Sequence, residues 1–168
     1  MLVSATIGRG PAMWYFGQEV GEPGAEDAGF GDPSRTSIFD YIGVPQHQKW
    51  MNGGKFDGGQ LTENEKALRN YYSEVLNFTR NSTALMGEYL ELHSFNRKQN
   101  PAYTNKAFAF ARWDESQKLI VVTNFDEFQS VKTTLKLSPE LLKAWKLEKG
   151  KREIQEVMFG KKKTTLRV

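Results

Sequence analysis

The sequence predicts an α+β chain in which one β/α unit precedes a small antiparallel β-sandwich. Three observations point there. An unbroken apolar run, Ala12-Met13-Trp14-Tyr15-Phe16, stops at Gly17 and hands over to a polar, glycine-rich stretch. An amphipathic segment follows Thr62, with Leu68, Tyr71, Tyr72, Val75 and Leu76 at helical spacing. Beyond residue 86 the apolar period drops from that of a helix to that of a strand. The boundary falls near residues 82–87, so the expected domains are residues 1–84 and 85–168.

The elements follow in order. Leu2, Val3 and Ile7 read as the last turns of a helix whose start lies elsewhere, closed by Gly8 and Gly10. Ala12–Phe16 is expected as a short strand of the kind buried on both faces of a parallel sheet. Residues 17–60 form a long connection holding three of the six prolines, and long ordered loops of this kind usually carry function. Thr62-Glu63-Asn64-Glu65 is a capping box that starts a helix expected to end near Thr79–Ser82. Tyr89, Leu90 and Leu92 mark a strand. Ala107–Trp113 and Lys118–Asn124 are two more, joined by the turn Asp114-Glu115-Ser116-Gln117. Ser130–Leu137 alternates again. Ser138-Pro139-Glu140 starts a short helix that runs through Trp145. Ile154–Phe159 and Thr164–Val168 close the chain as a hairpin around Gly160.

Composition excludes several classes. The 168-residue chain has no cysteine, so thiolate chemistry, disulfides and cysteine metal sites are ruled out. His47 and His93 stand apart from any carboxylate cluster, so no metal site is expected, and no cofactor. No apolar stretch approaches the ~20 residues needed to cross a bilayer, and Met1–Ile7 lacks the basic start of a signal peptide. Residues 130–168 hold eleven Lys/Arg against four Asp/Glu, whereas residues 1–60 hold four against seven. The basic residues have no interleaved aromatics and no recognition motif, so Lys161-Lys162-Lys163 reads as a solvated hairpin loop and no nucleic-acid partner is expected.

Three segments carry a resemblance. Gly10 followed by Tyr15-Phe16-Gly17-Gln18-Glu19 resembles the eighth barrel strand of the α-amylase family of glycosidases, glycoside hydrolase family 13. Gly31-Asp32-Pro33-Ser34-Arg35 resembles a segment in the loop after that strand, and Leu119–Phe125 is similar to a strand of the family's C-terminal domain. Pro11 follows Gly10 directly, where the common pattern has one residue between. The resemblance implies that residues 1–84 are the end of a TIM barrel (strand 8, a long loop and helix 8). Residues 85–168 are then the C-terminal β-sandwich, shortened by one or more strands. It further implies a retaining enzyme acting on starch or maltooligosaccharides through two carboxylates. In the family these lie on barrel strands absent from this chain. No catalytic residue is therefore expected here, and the chain alone should be inactive.

Within that frame the expected substrate-binding residues are Glu19, Asp32, Arg35 and Trp50. Each has a second reading. Glu19 either orients polar groups beneath the cleft or is a paired carboxylate holding the loop base. Asp32 and Arg35 either hydrogen-bond sugar hydroxyls or form a local ion pair that shapes the loop. Trp50, with Phe39 and Tyr41, either stacks on sugar rings or plugs a small apolar core. The implied partners are an α-glucan in the parent enzyme and the missing N-terminal barrel. Exposed barrel surface would favour self-association. The alternative is a stand-alone, non-enzymatic carbohydrate-binding or interaction module, whose candidate binding aromatics, Tyr89, Tyr103, Phe108, Phe110 and Trp113, mostly fit core positions better.

Overall fold

Alternation after residue 86 does build a sheet. In the computed structural model, which describes residues 1–22 and 43–168, β1 (Glu88–Glu91), β2 (Ala107–Trp113) and β3 (Lys118–Asn124) form one antiparallel sheet in that order. The register runs from Ala107 opposite Asn124 to Trp113 opposite Lys118, with Glu88 also opposite Trp113. The turn between β2 and β3 is tied by the Asp114 carboxylate, which accepts from the N–H groups of Ser116 and Gln117 at 2.8 and 2.7 Å. The Thr83 hydroxyl first, then the Gln117 N–H, hold its carboxyl down at about 2.

One face of this sheet packs Ala109 and Ala111 against Leu92, Leu141 and Trp145. The small side chains on β2 leave room for the indole of Trp145, which meets Trp113 edge-on at 6.1 Å. The other face carries Phe110 and Arg112, both fully buried, and Leu119, which packs with Ala84 and Leu85. Glycine is required at Gly87, where a Cβ would come within 1.9 Å of the Trp113 carbonyl oxygen.

The helices are α1 (Leu2–Thr6), α2 (Pro45–Met51), α3 (Glu63–Asn81), α4 (His93–Gln99) and α5 (Pro139–Ala144). The start of α3 is a reciprocal capping box. Thr62 N–H donates to the Glu65 carboxylate at 2.7 Å, and Glu65 N–H donates to the Thr62 hydroxyl at 3.3 Å. Ser138 caps α5 by accepting from Leu141 N–H at 3.2 Å, with Pro139 in the first turn.

Three expectations fail. Ala12–Phe16 is not paired into a sheet, and Met13 is 91% exposed. A parallel strand takes its hydrogen bonds from neighbouring strands, and no described segment supplies them. Ser130–Leu137 keeps its alternation of burial but not a strand's ladder, because side chains have taken its backbone groups. Asn96 donates to the Lys136 carbonyl at 2.9 Å and accepts the Lys136 N–H at 2.8 Å. Asn100 donates to the Thr134 carbonyl. Both asparagines belong to the stretch around α4, a helix the strand-like pattern concealed. Finally, the sandwich fails: the expected terminal hairpin around Gly160 forms, as β4 (Lys151–Gln155) and β5 (Lys163–Arg167), but as a separate two-stranded sheet. Every residue of β4 is exposed, so this pair does not bury a face as the second sheet of a sandwich must. The described strands are a three-stranded sheet and a hairpin.

The chain groups into two compact units. One comprises Met1–Pro11 and Asn77–Val168, and the other Ala12–Leu76.

Candidate functional site

Of the expected substrate-binding residues, Glu19 and Trp50 are described, and both fall in the Ala12–Leu76 unit. After Phe16 the chain turns sharply. Gly17 sits in the left-handed region at φ 83°, and its carbonyl accepts from both Val20 and Glu22 N–H groups. A Cβ there would lie 2.8 Å from the Glu22 Cβ, so a side chain is excluded. The short 3-10 turn Gln18–Val20 that follows buries Val20 and projects Glu19.

Glu19 is held by Arg69 of α3, whose Nη1 donates to Glu19 Oε1 at 3.2 Å. The same guanidinium lies over the Trp50 ring, 4.5 Å from its centroid. Trp50 sits on α2, which Pro45 starts and Asn52 ends. Its indole also meets His47 at 5.6 Å and Phe56 at 5.8 Å. Sequence reasoning thus chose Glu19 and Trp50, and a single arginine joins them. Asp32 and Arg35, with Phe39 and Tyr41, lie outside the described residues.

Around this core the unit gathers further polar groups. Glu22 Oε2 accepts from the N–H groups of Gln46 and His47, both at 3.0 Å, at the start of α2. Lys49 pairs with Glu65 at 3.1 Å. The Thr62 N–H first, and Lys49 after it, hold the Glu65 carboxyl below its ordinary range. Trp14 meets Tyr72 edge-on at 6.0 Å. Burial pushes the Tyr72 phenol up, with the charge of Glu19 adding to it. Trp14 Nε1, the Tyr15 hydroxyl, Glu22 Oε1, Gln46 Oε1 and His47 Nδ1 are buried with no hydrogen-bond partner among the described residues.

Glu19, Glu22 and Glu65 are each engaged in ion pairs or backbone hydrogen bonds. No group of three His, Asp or Glu that could hold a metal ion lies among the described residues. No helix among them is long and apolar enough to cross a membrane.

Arg69 and Glu22 are not among the residues the sequence marks, and Trp14 and Tyr72 are marked only as apolar positions of a run and a helix stripe. A signal existed for Arg69. Arg69 and Tyr72 are three residues apart on α3, which puts the cation at the margin of the apolar stripe. Nothing local marks Glu22, whose partners lie more than twenty residues away. In the other unit, Phe110 and Tyr103 are buried, and Phe108 and Tyr89 pack tilted against Phe110 at 5.6 and 5.7 Å. Those rings form a packed cluster rather than a flat platform.

No known protein family, curated protein or solved structure matches this chain.

Proposed function

We propose that the chain is the C-terminal part of a retaining glycosidase acting on α-glucans, comprising the last β/α unit of its barrel and the β-domain that follows. The observation that carries this reading is the Glu19–Arg69–Trp50 arrangement. It lies just beyond the aromatic run that resembles the family's eighth barrel strand, where substrate-facing residues of such barrels are found. A guanidinium braced by a carboxylate and an indole face is a rigid, planar donor suited to adjacent sugar hydroxyls. Trp50 then acts by bracing Arg69, and Glu19 by orienting it. Five buried polar atoms nearby have no hydrogen-bond partner among the described residues, which further polar groups of a larger barrel would supply.

The catalytic carboxylates lie on segments outside this sequence, so the purified chain is expected to leave starch and maltooligosaccharides intact. The test is to extend the reading frame upstream of the Met1 codon and express the longer protein. Hydrolysis of α-glucans, with the anomeric configuration retained in proton NMR, supports the reading. Turnover by the 168-residue chain itself, or a longer protein inert towards α-glucans, would overturn it.

A further inference from the structure

The chain leaves the unit that holds the sheet after Pro11 and rejoins it at Asn77. Within that unit, the outgoing and the returning segments are bonded to one side chain. Arg112, near the end of β2, is fully buried. Its Nη1 donates to the carbonyls of Thr6 at 3.3 Å, Ile7 at 2.6 Å and Gly8 at 3.0 Å, at the C-terminal end of α1. Its Nη2 donates to the carbonyl of Leu85 and, at 3.3 Å, to that of Gly87.

All five acceptors are main-chain oxygens, and three of them are at or just beyond the end of α1. Helix ends leave carbonyls unpaired, and their partial negative charge suits a cation. A guanidinium, with donors fanned in one plane, can reach two strands of backbone at once. A lysine, with its donors on one nitrogen, cannot. Desolvation, and then the nearby charge of Arg9, push the Arg112 pKa down, so these carbonyls are what keeps the buried cation tolerable. A second tie lies outside. Arg9 Nε donates to the Gly87 carbonyl at 2.8 Å, and its Nη2 pairs with Glu88 at 3.1 Å, with both side chains more than half exposed. An exposed pair of that kind contributes little.

We propose that Arg112 is a clamp that makes the outgoing segment, residues 2–8, and the returning segment, residues 83–88, open and close as one. Both ends of the Ala12–Leu76 excursion are then fastened by a single residue, whatever that excursion binds.

Hydrogen exchange followed by mass spectrometry on the full chain tests this. The amides of Ile7, Leu85 and Gly87, bonded locally to the carbonyls of Val3, Ser82 and Ala84, are expected to share one opening constant and one denaturant dependence. Distinct opening constants for the two segments overturn the clamp. In Arg112→Lys, protection is expected to fall about tenfold or more in both segments, with the amides of β2 and β3 changed by less than about threefold. Loss in one segment only, or in neither, overturns it. Should that variant unfold, the denaturant series on the unaltered chain still decides. Arg9→Ala is expected to change both segments by less than about threefold. A loss as large as that in Arg112→Lys would assign the fastening to Arg9 and overturn the proposal.

Discussion

Glu156 organises a whole turn with one carboxylate. Its oxygens accept from the N–H groups of Met158, Phe159, Gly160 and Lys161, between the two strands of the hairpin. Those donors, Phe159 first and Gly160 next, pull its carboxyl from the ordinary 4.5 to about 2. The folded value is depressed, so the contribution to stability is complete above the unfolded value. It is lost as pH falls through the window between 4.5 and about 2. In proton–nitrogen NMR the Gly160 and Lys161 amide signals are therefore expected to titrate with a midpoint near 2. A midpoint at the ordinary glutamate value would mean that the four N–H groups do not converge on this side chain. At the candidate site the same scale explains what a sequence can reveal. Glu19 and Trp50 stand out because an acid after an aromatic run and a tryptophan in a polar loop are locally odd. Glu22 does not, because its meaning comes from amides far along the chain.

Elements whose signal is local were legible. The capping box of α3, the Ser-Pro start of α5, the Asp114 turn and the paired strands β2 and β3 all rest on neighbours within a few residues. Elements whose identity depends on a distant partner were not. Ala12–Phe16 has a strand's composition, but composition supplies no hydrogen-bond partner. Ser130–Leu137 has a strand's alternation, and its half-buried Leu135 and Leu137 do face the core. Even so, Asn96 and Asn100 take the place of a neighbouring strand. Asn96 is completely buried and bonded to the carbonyls of both Leu92 and Lys136. Asn96→Ala is expected to lower stability by about 1–3 kcal/mol, since it strands buried backbone groups. It should also raise exchange at residues 134–137 before it does so in β2. Urea unfolding and hydrogen exchange check both. An unchanged exchange pattern would mean that apolar packing alone holds the segment.

The molecule as a whole carries unlike ends, a net acidic first third and a basic last quarter. It also exposes large apolar side chains: Phe125 at 63%, Phe128 at 84% and Met13 at 91%. Isolated exposed apolar residues are ordinary, but the exposed two-stranded hairpin presents edges that can pair with another chain. The chain is expected to self-associate as its concentration rises, measured by sedimentation velocity. A single monomeric boundary at the highest concentrations would count against it, and against the view that its barrel surface is incomplete. The two asparagines bear on the chain's history as well. They bind the backbone of residues 134–136, not its side chains. Mutational drift at Thr134 or Lys136 therefore leaves the attachment intact, provided no proline removes the Lys136 N–H. The attachment depends instead on two distant side chains, while within the stretch they hold it is Leu135 that packing against the core constrains.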